Sequence, residues 1–238
     1  CGGMFTANTM SMALEVLGLS PAGLNGIPAV HPDKLAAAER CGEIAVQLVR
    51  DNVRPRSIVT SKSLENAIRA VGATAGSTNA VLHLLAIARE FGLPLEIEAF
   101  ERLGESTPVI GNLVPGGRYV ARDLHEAGGI ALVLRELAAG NLLHLDARNV
   151  DGRTMGQIAA AAVEKPGRHR EFAVGHAHDR RDAGILGGDA DFGRSLNRHH
   201  AVLEVEKKPI VAGSLHHLDD VDIAHEADAD ADSELVLL

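Results

Sequence analysis

The chain has 238 residues, of which 46% are hydrophobic, 3% aromatic and 23% charged, and its formal net charge is -9. This length suffices for one large domain or two small ones, and the acidic balance argues against nucleic acid or an anionic membrane as the main partner. Two cysteines, Cys1 and Cys41, exclude a disulfide-stabilised secreted module and favour a reducing compartment. Apolar runs such as 80–88 are too short to span a bilayer. We therefore expect a soluble protein.

The charge is unevenly distributed along the chain. Residues 1–168 hold 17 acidic and 16 basic residues, a net charge of -1, whereas residues 169–238 hold 15 acidic and 7 basic residues, a net charge of -8. The second segment also carries eight of the 12 histidines. A break of this kind predicts a boundary after Arg168, with an irregular or disordered C-terminal tail at 169–238.

Hydrophobic spacing predicts a helix-rich α/β fold for the first segment. Helices are predicted at 4–19, 33–51, 63–71, 80–90, 96–103, 119–127, 130–139 and 154–163. Strands are predicted at 107–113 and 142–150. The helix at 80–90 is apolar almost all round, so we expect it to be buried on most sides.

The two cysteines differ in their sequence surroundings. Cys1 lies just before the first predicted helix, where the helix dipole and free N–H groups favour a thiolate that could bind a metal or act as a nucleophile. A buried structural thiol is an equally good interpretation of Cys1 from its position alone. Cys41 lies on an apolar stripe in the middle of the second helix, with Leu35, Ala38, Ala45, Leu48 and Val49. A small buried side chain is favoured over a ligand there.

Three further segments allow two interpretations each. The small-residue loop at 72–79 could bind an anion through its N–H groups, but capping of the next helix by Ser77 or Thr78 is favoured. Asp123, His125 and Glu126 could suggest a metal site, yet a solvated helix face explains them better. The segment 31–34 most simply begins a helix, with Pro32 near its first turn.

Several motifs resemble one family. The string CGGMFTANTM at 1–10 resembles the cluster-ligand segment of the dihydroxy-acid/phosphogluconate dehydratase family. The resemblance continues in the same order through six more blocks, at 28–34, 55–60, 64–68, 76–88, 117–120 and 123–130. The form of the first block is closer to the branch of the family in branched-chain amino-acid biosynthesis than to the sugar-acid branch.

The resemblance implies a fold, a reaction and cofactors. The chain would be the later half of the family's N-terminal α/β domain, from an iron–sulfur hydro-lyase that converts 2,3-dihydroxy-3-methyl acids to 2-keto acids in valine and isoleucine biosynthesis. A sugar-acid dehydratase of the same family is the alternative. Family members hold a 2Fe-2S or 4Fe-4S cluster with three cysteines, and Cys1 matches the third of them. They also bind Mg²⁺, form homodimers and work in the cytoplasm, or in an organelle of eukaryotes.

Other parts of the family pattern are missing from the chain. The first two cluster cysteines, the Mg²⁺ ligands and the serine that serves as base all lie in motifs that this sequence does not contain, so no catalytic residue is assigned. Lys34 follows Asp33 but lacks the cysteine that precedes the family's metal-binding Asp-Lys pair. Ala75 and Gly116 replace a usual Gly and Ser. We therefore expect the chain to be incomplete, inactive alone and of doubtful stability in isolation.

The segment after Gly167 does not resemble the family. Its mixture of His, Arg, Asp, Ala and Gly is typical of a GC-rich gene that is translated in the wrong reading frame. We therefore predict a frameshift or a chimeric join near 164–170. A genuine His-rich metal-binding tail and a disordered acidic tail are the competing interpretations. If the tail is a genuine metal-binding segment, the whole chain is a noncatalytic helical protein. This is the alternative to the enzyme fragment.

Overall fold

The computed structural model describes residues 2–165, and within this range the regular structure is helical. Eight α-helices follow one another, with a short 3₁₀ turn at Pro55–Ser57 between the second and the third. They are α1 (Thr6–Leu17), α2 (Lys34–Arg50), α3 (Ser61–Ala73), α4 (Asn79–Phe91), α5 (Glu98–Glu105), α6 (Ala121–Ala127), α7 (Ile130–Ala139) and α8 (Met155–Ala160). The prediction of a helix-rich fold is confirmed, and each predicted helix is present. Cys1 and residues 166–238, which include the predicted boundary and tail, lie outside the described residues.

Two of these helices end at a glycine in the left-handed conformation. Gly18 follows α1 with φ of 92°, and Gly92 follows α4 with φ of 69°. Glycine reaches this left-handed region without a Cβ penalty, which lets the chain leave the helix sharply. At the start of α1, Phe5 holds the N-cap position and no side chain makes a capping bond.

The two predicted strands are wrong, and the β part of the predicted α/β fold is absent from residues 2–165. At 107–113, the N–H groups of Ile110 and Gly111 both donate to the carbonyl of Ala73, at 2.7 and 2.8 Å, so the segment binds the end of α3. At 142–150, the backbone of His144 pairs with the Asn66 side chain at 2.8 and 3.0 Å. Only single bridge pairs form in these regions. Helix ends and a side chain thus replace the strand partners that the prediction assumed.

Two hydrophobic clusters form the core of the described region. The larger cluster is built mainly from α1, α7, α8 and the end of α3, and it includes Met12, Val16, Leu134, Leu137 and Met155. The smaller cluster lies among α3, α4 and α5 and includes Leu64, Ile68, Leu84, Phe100 and Leu103. Both α1 and α3 supply residues to both clusters. These two helices therefore join the two clusters.

Two helices are less covered than the sequence suggests. The expectation that α4 is buried on most sides is wrong, because only Ala80, Leu84 and Ala88 are buried and Leu82 is 67% exposed. In α2 the buried residues are Ala37 and Ile44. The apolar stripe predicted for α2 is a different line of residues, and most of it is exposed. One side of each helix thus remains open in the described region.

A buried carboxylate organises the loop between α1 and α2. Glu15 is 1% exposed, and its two oxygens accept hydrogen bonds from the N–H groups of Gly23 and Gly26, each at 2.7 Å. Burial raises the pKa of Glu15 above its ordinary value of 4.5, although these N–H groups and the charge of Lys34 act in the opposite direction. The Lys34 ammonium donates to the carbonyl of Ile27 at 2.9 Å. The middle of the loop is therefore held by one ionisable side chain from each flanking helix.

None of the helices within residues 2–165 combines the length and the apolar character that crossing a membrane requires.

Candidate functional site

The chain immediately after Cys1 forms a turn that is fixed to two distant segments. The carbonyl of Gly2 accepts a hydrogen bond from the N–H of Ala121, the first residue of α6, at 2.7 Å. The N–H of Met4 donates to the carbonyl of Val114 at 2.6 Å. A Cβ on Gly3 would lie 2.7 Å from that same carbonyl oxygen, so a side chain cannot be added without moving the backbone. Glycine at position 3 therefore permits the close approach.

The first turn of α1 folds back onto this segment through two side chains. The amide of Asn8 donates to the carbonyl of Gly3 at 2.7 Å, and the hydroxyl of Thr9 donates to the carbonyl of Met4 at 2.9 Å. Both Met4 and Thr9 are buried, at 1% and 0% exposure. We refer to residues 2–5 with these bonds as the amino-terminal turn. The carbonyls of residues 2–4 are thus held by the start of α6 and by two side chains, and the N–H of Met4 is held by a loop carbonyl.

The loop at 72–79 packs against the same end of α1. The hydroxyl of Thr9, besides donating to Met4, accepts a hydrogen bond from the N–H of Ser77 at 2.9 Å. The amide of Asn79 donates to the hydroxyl of Thr6 at 2.7 Å. A Cβ on Gly76 would lie 2.8 Å from the methyl carbon of Thr9. Two motifs that are about 70 residues apart in the sequence therefore meet at the amino-terminal turn.

The contacts in this loop favour the helix-cap interpretation over an anion cradle. The Ser77 hydroxyl accepts from the N–H of Asn79 at 3.3 Å at the start of α4, whereas the Thr78 side chain makes no capping bond. The N–H groups of Ala75 and Gly76 bond to the carbonyls that end α3. Ala75 has φ of 47°, a region that favours glycine, which explains why glycine is usual at this position in the family pattern.

The polar residues of α6 divide between capping and surface contacts. Asp123 accepts a hydrogen bond from the N–H of Val120 at 2.8 Å, and Glu126 pairs with Arg122 at 3.3 Å. His125 is half-buried and its ring meets that of His31 edge to face, with centroids 5.2 Å apart. Burial lowers the pKa of His125, and the charges of His31 and Lys165 lower it further. The contact between the two histidines joins residues 94 positions apart, and nothing in the sequence indicates it.

The two remaining candidates have positions that suit structural roles. Lys34 is the first residue of α2, as the 31–34 segment predicts, and its ammonium is bonded to backbone carbonyls of the preceding loop. Cys41 lies within α2, half-buried rather than in the core as expected. Across residues 2–165, no three His, Cys, Asp or Glu side chains lie close enough together to hold a metal ion.

The donor set therefore fits a cluster or metal ion only in part. Iron–sulfur clusters are held by thiolates, and the chain has two cysteines, of which Cys41 belongs to a separate helix. In the sequence, Cys1 comes directly before the amino-terminal turn. The described residues supply no set of carboxylates for Mg²⁺. The other ligands of either group have no counterpart among residues 2–165.

The chain belongs to the dihydroxy-acid/6-phosphogluconate dehydratase family, because the sequence model of that family's N-terminal region matches residues 1–158. This range includes the amino-terminal turn and the loop at 72–79. The resemblance seen in the sequence motifs is thereby confirmed.

Three similar proteins are named dihydroxy-acid dehydratase. The enzyme so named from Koribacter versatilis is 52% identical over 168 residues, which are 71% of this chain and 29% of the relative. One from Thermus thermophilus is 48% identical over 175 residues, covering 73% and 32% of the two chains. That from Roseiflexus sp. strain RS-1 is 46% identical over 168 residues, covering 71% and 30%. The chain thus spans about a third of the length of these relatives.

Proposed function

We propose that this chain is part of an iron–sulfur hydro-lyase that converts 2,3-dihydroxy-3-methyl acids to 2-keto acids in valine and isoleucine biosynthesis. Family membership and the names of its relatives support a dehydratase. The observation that carries the proposal is the amino-terminal turn, because a chain segment next to a single cysteine is fixed by hydrogen bonds to three other parts of the molecule. We assign Cys1 as one ligand of the cluster.

Loss of hydroxide from a 3-hydroxy acid is difficult because hydroxide is a poor leaving group. When bound, an iron–sulfur cluster with an open iron position supplies the Lewis acid for this step. The residues of this chain orient the backbone beside Cys1. Asn8 and Thr9 hold the carbonyls of Gly3 and Met4, so the backbone beside Cys1 enters α1 in one direction. A ligand on a fixed backbone loses little freedom when it binds.

The names of the relatives support the substrate that we propose. Those described above are all named dihydroxy-acid dehydratases, which favours branched-chain precursors over sugar acids. We propose no catalytic residue in this chain, and the Mg²⁺ ligands and the base belong to motifs found elsewhere in the family. By itself the 238-residue chain should therefore show no dehydratase turnover.

A chimera tests the assignment of Cys1. Residues 1–158 replace the corresponding segment of the Thermus thermophilus enzyme, and the purified protein is compared with its Cys1→Ser variant. We expect visible absorbance of an iron–sulfur cluster and turnover of 2,3-dihydroxy-3-methylbutanoate in the chimera, and loss of both in the variant.

The matched control is Cys41→Ser, which removes the other thiol and should leave the cluster spectrum unchanged. Circular dichroism of each variant verifies that the helices are intact. Retention of the full cluster spectrum by the Cys1→Ser chimera would refute the assignment. Faster turnover of a sugar acid than of the branched-chain substrate would favour the other branch of the family.

A further inference from the structure

The loop between α1 and α2 contains a chemically labile pair of residues. Asn25 is followed by Gly26, and no other asparagine of the sequence is followed by glycine. Asparagine is among the thermolabile residues, and glycine places no side chain in the way of a reaction at its own backbone nitrogen. Asn25 is half-buried and Gly26 is exposed. Water and hydroxide from the solvent can therefore reach the pair.

The reaction open to such a pair is an intramolecular ring closure. Hydroxide removes the proton of the Gly26 backbone nitrogen. The nitrogen then forms a bond to the side-chain carbon Cγ of Asn25, the bond from Cγ to Nδ2 breaks, and Nδ2 leaves as ammonia with a proton from water. A second water opens the five-membered imide at either carbonyl, which leaves aspartate or isoaspartate at position 25. Nothing is oxidised or reduced in these steps.

The structure aims the attacking nitrogen away from its target. The N–H of Gly26 donates to a carboxylate oxygen of Glu15 at 2.7 Å. In the imide, the new bond from nitrogen to Cγ takes the place of this N–H bond, so the N–H must leave Glu15 before the ring can close. A hydrogen-bonded backbone proton is also withheld from hydroxide until the structure opens locally. Glu15 therefore opposes both the geometry and the proton removal that the reaction needs.

The side chain and the backbone carbonyl of Asn25 are held as well. Its Nδ2 donates to the backbone carbonyl of Ser11 in α1 at 3.2 Å. The Lys34 ammonium donates to the carbonyl of Asn25 at 3.1 Å. The same ammonium reaches the carbonyls of Leu24 and Ile27, at 3.5 and 2.9 Å. Moving Cγ onto the next backbone nitrogen turns this side chain and the peptide after it, so the loop must open first.

We infer that Asn25 is a site of spontaneous deamidation, that the folded loop restrains the reaction, and that conversion permanently loosens the loop. Either product places a carboxylate where Nδ2 donated to the Ser11 carbonyl. Isoaspartate also adds one carbon to the backbone, which shifts the N–H of Gly26 relative to Glu15. The inference is independent of the proposed function.

Peptide mapping by mass spectrometry tests the site and the restraint without any substitution. The 238-residue chain is kept in one mildly alkaline buffer, with and without enough guanidinium chloride to unfold it. We expect Asn25 to be the first asparagine converted in both samples, and about tenfold or more slowly in the folded chain. Equal rates in the two samples would overturn the restraint. Earlier conversion of a different asparagine in the folded chain, or no conversion of Asn25 there, would overturn the site.

Lys34→Met tests the hold on the carbonyl of Asn25. Methionine nearly keeps the length of the side chain and removes the ammonium. We expect conversion in the folded chain to become about threefold or more faster, with no change in guanidinium chloride. The matched control is Lys62→Met, since Lys62 is an exposed lysine of α3 that pairs with Asp146 at 2.6 Å. Circular dichroism verifies that both variants are folded. An unchanged rate in Lys34→Met, or an equal rise in Lys62→Met, would contradict the restraint.

Gly26→Ala tests the ring closure itself. A Cβ at position 26 would lie 3.6 Å from a carboxylate oxygen of Glu15, which is an ordinary contact, so the loop has room for alanine. The added methyl group hinders attack by its own backbone nitrogen in any conformation. Conversion of Asn25 should therefore slow in the folded and in the unfolded chain. If Gly26→Ala leaves both rates unchanged, the reaction does not pass through the imide and the proposed chemistry is wrong.

Asn25→Asp tests the consequence of conversion, because it introduces the charge of one product. A carboxylate cannot donate to the Ser11 carbonyl, so the melting temperature should fall by about 2 to 4 °C. The matched control is Asn52→Asp, since the exposed Asn52 uses only its side-chain oxygen, to accept from Arg54 at 3.2 Å. This variant should melt like the wild type. Equal melting temperatures of Asn25→Asp and the wild type would overturn the loosening of the loop.

Discussion

The Thr9 hydroxyl joins two motifs through a single buried oxygen. It donates to the carbonyl of Met4 and accepts from the N–H of Ser77, both at 2.9 Å, and the side chain is fully buried. Buried polar groups that lose their partners cost more free energy than the bond itself contributes. One hydroxyl thus sets the distance between the amino-terminal turn and the loop at 72–79.

Thr9→Val keeps the shape of this side chain and removes both hydrogen bonds. We expect the free energy of unfolding to fall by about 1 to 3 kcal/mol, measured by urea denaturation. Thr9→Ser is the control, since it keeps the oxygen and loses only the methyl group next to Gly76. Equal destabilisation by both substitutions would show that the methyl contact matters rather than the hydroxyl.

Glu15 makes the stability of the fold depend on pH. Burial raises the pKa of this carboxyl in the folded chain above 4.5. Its contribution to the free energy of unfolding is therefore fully present below pH 4.5 and is lost as the pH rises through the raised pKa. We therefore expect the free energy of unfolding of the wild type to fall relative to that of Glu15→Gln between pH 4.5 and neutrality. Urea denaturation of both proteins across this range measures the difference. If the difference between the two free energies of unfolding stays constant with pH, this prediction is wrong.

At the scale of elements, helices were predictable because local signals determine them. The spacing of apolar residues and glycines at helix ends, such as Gly18 and Gly92, act within one segment. The segments 107–113 and 142–150 were mispredicted because an apolar run does not reveal its hydrogen-bond partner. Their partners are the carbonyl end of α3 and the side chain of Asn66, and both depend on the tertiary structure.

The start of α3 depends on a reciprocal cap. Thr60 accepts from the N–H of Ser63 at 3.2 Å, and Ser63 accepts from the N–H of Thr60 at 2.9 Å. We expect Thr60→Ala to lower the free energy of unfolding by about 1 kcal/mol, because it exposes an unpaired N–H at the start of this central helix. Thermal denaturation gives the measurement. Thr60→Ser keeps the accepting oxygen and should remain close to the wild type, and a loss as large as that of Thr60→Ala would exclude the cap as the cause.

At the scale of the whole molecule, α1 and α3 belong to both hydrophobic clusters, so the clusters should unfold together. Leu84 is fully buried in the smaller cluster, whereas Tyr119, the only tyrosine, packs against the larger one. We expect Leu84→Ala to cost about 2 to 5 kcal/mol and to shift the urea transition of Tyr119 fluorescence and of far-UV circular dichroism equally.

The matched control for this cooperativity lies two residues away on the same helix. Leu82 is 67% exposed, so Leu82→Ala should change the free energy of unfolding by no more than about 0.5 kcal/mol. If the Tyr119 signal of Leu84→Ala keeps the wild-type midpoint while the circular dichroism shifts, the two clusters unfold separately.

The candidate site could be predicted only in part from the sequence. The sequence singles out Cys1 because a thiol before a helix has recognisable chemistry and its motif resembles a family, and the role of Cys1 stays a prediction. The contact of Thr9 with Ser77 could not be found in this way, because it joins residues 68 positions apart through one side-chain oxygen and one backbone N–H. The contact of His31 with His125 is of the same kind. Such contacts depend on how α1, α3 and α6 pack, and a linear pattern does not record that packing.

The bonds of Lys34 to the loop before α2 also make this residue a chemical reporter. Its ammonium donates to the carbonyls of Asn25 and Ile27, at 3.1 and 2.9 Å, whereas only a free, neutral amine attacks an acylating reagent. Labelling at Lys34 therefore requires these hydrogen bonds to break first. The acylation rate of this one amine, followed by mass spectrometry, measures how often the Lys34 side chain leaves these carbonyls in the otherwise folded chain.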